Sequence, residues 1–231
     1  MADVVDVKLS ADVGGTFTDI VLEQEGRRWT TKVLTTPAAP EEGVLRGISE
    51  MLKVARVRLE DVDFFAHGTT LATNAIIERR GAKTALLATS GFRDILEIAS
   101  ESRYDQYELA LVKPVHLVNR PQRFTVTERM DARGNVLVAL DESELQDIAA
   151  ELIAQGIESL AIAFMHSYMN SAHERRAAEL LRRLVPGLYV SISSEVCPEI
   201  REYERTSTTV VSAYIQPLID GYLARMTARL D

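Results

Sequence analysis

The chain contains a single cysteine, Cys197, so it can form no internal disulfide and no cysteine-rich zinc site, and a reducing compartment suits it. It also lacks any apolar run near the roughly 18 residues that span a bilayer, which excludes a transmembrane helix. Basic residues are in deficit, 26 against 34 acidic for a net charge of −8, so a nucleic-acid partner is not expected. Internal repeats and low-complexity segments are absent. Residues 1–9 carry Asp3, Asp6 and Lys8 around short apolar stretches and do not read as a signal peptide. These absences point to the cytoplasm, with neither membrane nor nucleic acid as partner. What remains is an ordinary globular composition, 46% hydrophobic and 26% charged over 231 residues, enough for one large domain or two small ones.

Residues 7–22 read as two strands joined at Gly14-Gly15, a third strand follows over 29–34 after the turn at Glu25-Gly26, and a helix is expected over 41–54 beyond Pro37 and Pro40. Then come a short buried strand at 63–66, a helix over 71–80 stopped by Gly81, and a strand at 84–88. Residues 100–118 read as a long connection. A hairpin is expected between 124–129 and 136–140. Two capping boxes, Asp141 with Glu144 and Ser171 with Glu174, announce helices flanking a buried strand at 159–164, and another strand follows at 188–192. From about residue 203 the pattern is helical, with Pro217 expected to kink or split it near Ile215. Strands alternating with helices mean an α/β protein. The divisions fall at 1–100 (hairpin and first α/β unit), 101–200 (loop, hairpin and second α/β layer) and 201–231 (a linking helix that reads as cut within a longer protein).

The sharpest motif is Asp12-Val13-Gly14-Gly15-Thr16-Phe17-Thr18-Asp19. Two glycines let the N–H groups of Gly14, Gly15 and Thr16 converge on an anion, and Asp12, with Asp19 beside it, suits a hydrated Mg²⁺. The same residues also satisfy a plain hairpin turn with solvated acids. It is neither a Walker A loop nor a dinucleotide fingerprint. The second motif, His67-Gly68-Thr69-Thr70-Leu71-Ala72-Thr73-Asn74, sits where a strand meets a helix, and serves either as an anion-binding helix start or as ordinary capping. Cys197 reads as a small packed residue. His166 and His173 lack a third ligand for zinc.

Five blocks together resemble the hydantoinase/oxoprolinase family: D-V-G-G-T-F-T-D-I-V, H-G-T-T-L-A-T-N-A-I-I-E-R-R-G-A-K, T-S-G-F-R-D-I-L-E-I, F-M-H-S-Y-M-N-S-A-H-E and P-E-I-R-E-Y-E-R-T-S-T-T-V-V-S-A-Y-I-Q-P. The likeness is strongest to the amino-terminal part of N-methylhydantoinase A-type subunits. It implies the N-terminal lobe of a ribonuclease-H-like, actin-like ATPase fold with a small α/β layer attached. It further implies an ATP-dependent hydrolase that opens hydantoins or 5-oxoproline by phosphorylating a carbonyl, with the acetone and acetophenone carboxylases as the alternative; a non-catalytic binding module is the reading outside the enzymes. ATP and Mg²⁺ are the implied cofactors. A small cyclic amide or ketone is the implied substrate, and a hydantoinase B-type subunit the implied partner. By the same resemblance Asp12, Asp19 and His67 are the catalytic candidates and Asp12 the metal ligand. Gly14, Gly15, Thr16, Gly68, Thr69, Thr70 and Asn74 are the nucleotide contacts. The residues 100–105 tilt the reading toward the hydrolases. Family subunits are about three times longer, so this chain alone is expected to turn over ATP poorly.

Overall fold

The computed structural model describes residues 6–36, 39–100, 107–110 and 112–230. The chain forms two compact units, residues 1–80 with 218–231 and residues 81–217. The division falls at 80/81 rather than at residue 100, and the end of the chain returns to the first unit. The expected loop signature at 100–105 lies, beyond Ser100, outside the described residues.

In the first unit β1 (Val7–Val13), β2 (Phe17–Gln24) and β3 (Arg27–Leu34) form an antiparallel meander, and β4 (Phe64–Thr69) adds to β1 in parallel, in the order β3-β2-β1-β4. α1 (Pro40–Ala55) opens with proline at its first turn, where the missing N–H costs nothing. It ends at Arg56, which takes the left-handed conformation. Val7, Leu9, Ala11 and Val13 alternate with more exposed residues along β1, as one covered face requires. Those side chains, with Ile20 and Leu22, pack against Val44, Ile48 and Met51 of α1. The strand expected to be buried at 63–66 is instead an edge strand running to Thr69, with Phe64 57% exposed. α2 (Leu71–Ile77) stops short of the expected residue 80, because the chain turns through a left-handed Arg79 before reaching Gly81.

The second unit is built on a parallel sheet of β5 (Thr84–Thr89), β6 (Arg123–Val126), β9 (Ser159–Ala163) and β10 (Tyr189–Ile192), ordered β10-β9-β5-β6. Between these strands come α3 (Ile95–Ile98), the short strands β7 (Arg129–Met130) and β8 (Val136–Val138), α4 (Glu144–Ala154) and α5 (Ala172–Leu184). α6 (Ser193–Val196) and α7 (Glu202–Leu230) close the chain. β5 and β9 are buried along their whole length, the mark of a sheet covered on both faces. Leu145, Ile148, Leu152, Ala177 and Leu181 of α4 and α5 cover one face, and Leu96, Val118, Val210 and Ala213 the other.

Three local expectations change here. The segment 124–129 does not pair with 136–140: its first part joins β5, and only Arg129 and Met130 form the small hairpin. Neither capping box forms. Glu144 spends its carboxylate on the N–H and hydroxyl of Thr127, and Glu174 turns inward to other donors. α7 runs through Pro217 as one helix; the proline's absent N–H removes a single bond from a long ladder.

The second half of α7 is held in the first unit by an ion pair in which Arg225 Nε donates to Glu41 Oε1 at 2.5 Å, the Glu41 side chain being 4% exposed. Burial, the largest single effect, pushes the Glu41 carboxyl up, and the Arg225 hydrogen bond, a backbone hydrogen bond and the charges of Arg225 and Arg229 together outweigh it, leaving the carboxyl below its ordinary value of 4.5. Its stabilisation is therefore present above pH 4.5 and lost as the pH falls through the lowered folded-state value. An acid titration of folding should show a shallower loss for Glu41→Gln than for the parent chain; equal slopes would dismiss the pair as a source of acid sensitivity.

Candidate functional site

The glycine turn between β1 and β2 is held from behind. Gly14 N–H donates to Phe17 O at 2.9 Å, the Thr35 hydroxyl donates to Gly14 O at 2.9 Å, and Thr35 N–H donates to Thr16 O at 2.9 Å. The buried Thr18 hydroxyl lies 2.9 Å from that of Thr35. Gly14 therefore has no N–H to offer an anion. Those of Gly15 and Thr16 have no partner among the described residues and remain the available donors. A Cβ on Gly14 would meet the backbone oxygen of Phe17 at 2.9 Å, so the turn requires glycine there, whereas one on Gly15 would meet Asn74 Nδ2 at 3.1 Å, and that side chain would have to give by a few tenths of an ångström. Thr18 stands in the first motif, but nothing in a linear pattern shows that it and Thr35, 17 residues on, brace one turn.

The second motif does come to this turn. β4 pairs with β1 so that Gly68 lies opposite Asp12 and Thr69 opposite Val13. Thr70 N–H and hydroxyl both donate to Val13 O, at 3.0 and 3.3 Å, and Asn74 Nδ2 donates to Thr70 Oγ1 at 3.3 Å. Thr69 Oγ1 accepts from Leu71 N–H at 3.1 Å. The threonines thus fasten α2, a helix of seven residues, to the end of β1.

On the face of this sheet turned away from α1, Asp12 lies opposite Asp19. Together with Ser10, Val21, Ala66 and Gly68 these carboxylates line a groove of about 350 Å³, and His67 borders it. A Cβ on Gly68 would stand 3.4 Å from Asp12 Oδ1, so glycine there keeps the space beside that carboxylate open. Asp12 is exposed and carries no ion pair or hydrogen bond among the described residues, whereas Asp19 Oδ1 lies 3.1 Å from Lys32 Nζ.

His67 occupies the other face. It pairs with the buried Ala11, and its Nε2 lies 2.7 Å from the hydroxyl of Tyr222 on α7, which is 1% exposed. Burial lowers the imidazole below its ordinary value against a smaller opposing effect of the Asp12 charge, and burial pushes Tyr222 up to about 12. At neutral pH both are uncharged. The geometry is that of a strand residue tied to a helix, with the ring turned from the two carboxylates.

A second polar cluster, in the other unit, escaped the sequence reading. The buried Glu128 takes the hydroxyl of Thr89 and lies 2.8 Å from His173 Nδ1, while Thr89 Oγ1 accepts Met165 N–H at 2.9 Å. Every member has a partner, and the cluster joins the ends of β5 and β9 to α5. Cys197 is half-buried and free. Among the described residues no group of three or more metal-ligating side chains converges, and no helix is long and apolar enough to cross a membrane.

With the geometry in place, residues 8–185 match the hydantoinase/oxoprolinase N-terminal region. An uncharacterized protein of Methanocaldococcus jannaschii is 39% identical over 225 residues, 95% of this chain and 32% of that protein. The alpha subunit of caprolactamase from Pseudomonas jessenii is 35% identical over 97% of this chain and 33% of its own, and 5-oxoprolinase of Dictyostelium discoideum 32% identical over 97% and 20%. The crystal structure of the ATP-dependent caprolactamase from Pseudomonas jessenii superposes with a TM-score of 0.87 at 34% identity, covering 96% of this chain and 33% of that one. Nucleotide-free acetone carboxylase superposes with a TM-score of 0.84 at 25% identity, covering 98% and 34%. The chain spans a fifth to a third of the length of these relatives. By its α/β fold and by its sequence over 8–185, the chain belongs to the hydantoinase/oxoprolinase family.

Proposed function

We propose that this chain is the nucleotide-binding N-terminal portion of an ATP-dependent enzyme that opens a cyclic amide. The observation that carries the reading is the unengaged Asp12 carboxylate, set between the glycine turn with its two available N–H groups and the bare backbone of Gly68. The ATP-dependent caprolactamase and the 5-oxoprolinase among the relatives support it. Mg²⁺ binds through one or two carboxylates together with substrate phosphates and keeps several waters, and an exposed lone carboxylate beside free amides fits that habit. Asp12 is the residue that would hold it, and bound there it would neutralise phosphate charge.

An amide carbonyl is a poor electrophile. Transfer of the terminal phosphoryl group of ATP to the carbonyl oxygen breaks a P–O bond to ADP and forms one to the substrate. Water then adds at carbon, the ring nitrogen takes a proton and leaves so that the C–N bond opens to an acyl phosphate, and a second water releases phosphate to leave the carboxylate. In this scheme Gly15 and Thr16 amides orient phosphate oxygens, Asp12 takes the cation, and Thr70 and Asn74 keep the turn in register. His67 orients β4 from behind rather than exchanging protons with substrate. The water-activating group falls outside this chain, in the remainder of a longer protein or in a hydantoinase B-type partner. Acetone carboxylase supports the second reading, in which the activated oxygen belongs to a ketone and carboxylation replaces hydrolysis. A cytoplasmic location accords with the single cysteine.

Calorimetric titration of Mg·ADP and Mg·ATP into the chain tests the nucleotide site. Asp12→Ala is expected to weaken binding at least about tenfold, as befits a lost charge-assisted contact, with the fold intact by circular dichroism. Unchanged affinity in that variant would remove Asp12 from the site.

A further inference from the structure

The cross-strand row on the open face of the first unit extends one strand beyond the groove. Asp12 lies opposite Asp19, and Asp19 lies opposite Lys32 of β3. Directly opposed carboxylates on neighbouring strands repel. Lys32 answers one of them, its Nζ lying 3.1 Å from Asp19 Oδ1, and leaves Asp12 unengaged. The same ammonium stands 5.3 Å from the centre of the Phe17 ring, at the foot of the glycine turn. Both members of the pair are about half exposed, 57% and 49%, so the ion pair contributes little to folding stability and its location carries the interest.

We infer that Lys32 is a phosphate-contacting residue of the nucleotide site, an inference that rests on the nucleotide reading above. A polyphosphate arriving at this face meets two carboxylates and needs a positive partner besides the cation on Asp12. Lysine offers a compact charge on a flexible stem, able to pass from Asp19 to a phosphate oxygen while the Phe17 ring keeps it by the turn. Asp19 then acts as the resting place of that ammonium, and Asp12 alone faces the cation. The motif containing Asp12 and Asp19 was conspicuous in the sequence; Lys32, 13 residues on, joins it only through the strand register.

The test is titration of Mg·ADP at several salt concentrations into the parent chain, Lys32→Met, Lys32→Arg and the double variant Lys32→Met with Asp19→Asn. Acetylation of Lys32 is followed by mass spectrometry with and without Mg·ADP. Lys32→Met should weaken binding by about tenfold or more and flatten its salt dependence, while Lys32→Arg keeps most of the affinity. Mg·ADP should protect Lys32 from acetylation. The double variant separates the two possible roles: it stays weak if Lys32 touches phosphate and recovers if Lys32 only neutralises Asp19. Recovery, parent-like binding by Lys32→Met, or absent protection overturns the inference. Binding lost in Asp12→Ala yet kept in Lys32→Met sinks Lys32 alone, whereas a parent chain that binds no nucleotide sinks the nucleotide reading and this inference with it.

Discussion

Glu174→Ala should destabilise the second unit by about 4 kcal/mol, one of the largest losses any single substitution in this chain will produce. The carboxylate is fully buried and accepts three hydrogen bonds, from Phe164 N–H at 2.9 Å, the Ser193 hydroxyl at 2.6 Å and Ser194 N–H at 2.9 Å. Phe164 follows β9 and Ser193 follows β10, so one side chain gathers the ends of two parallel strands under the start of α5. The Ser167 hydroxyl, 2.9 Å from that of Ser193, extends the network. Removing the carboxylate leaves the buried Phe164 N–H and the part-buried Ser194 N–H without partners and the Ser193 hydroxyl with Ser167 alone, at roughly 1–3 kcal/mol for each donor left unpaired before relaxation. Gln should rescue only part of the loss, because its amide turns a donor toward one of those donors. Urea unfolding with both variants reads this directly. A loss below about 1 kcal/mol for Glu174→Ala would mean that water enters and satisfies the donors.

Glu174 also shows where the sequence was readable and where it was not. Ser171 followed by Glu174 announces a helix start, and α5 does start at Ala172, so the signal gave the right element for the wrong reason. A capping box and a buried acceptor place glutamate at the same helical position, and only the neighbouring strands decide which donors it meets. The alternation along β1 and β2, the unbroken apolar runs of β5 and β9 and the proline-led start of α1 were legible because each depends on local period or backbone chemistry. The fate of residues 124–129 was not, since pairing with β5 instead of β8 is settled by a distant strand. The same limit applies at the candidate site. Asp12, Asp19 and the glycines stand in one motif, whereas Lys32 and Thr35 reach that motif, and Tyr222 reaches His67, through register and packing that no linear spacing records.

Gly81→Ala is the second severe change, and its origin is steric. A Cβ there would fall 2.2, 2.3 and 2.5 Å from Cε1, Cδ1 and Cζ of Tyr214, distances that no packed carbon tolerates. The ring is 7% exposed, and Ala82 N–H donates to the Tyr214 carbonyl at 2.9 Å, so neither the side chain nor its helix has an easy retreat. The sequence suggests Gly81 as the residue that stops α2, but α2 ends at Ile77 and the left-handed turn is made by Arg79. The glycine is required for close approach to an aromatic face instead. Overpacking against a fixed ring should cost about 3 kcal/mol, seen as a lower urea midpoint at unchanged slope. Gly156→Ala is the matched control. Gly156 has φ +61° with nothing within 4 Å of an added Cβ, so alanine there should cost only the left-handed backbone penalty of about 1 kcal/mol. If Gly81→Ala costs no more than that control, the Tyr214 ring yields freely. If Tyr214→Leu in the Gly81→Ala background recovers much of the loss, the clash is its cause, because leucine withdraws the ring atoms that the new methyl group would strike.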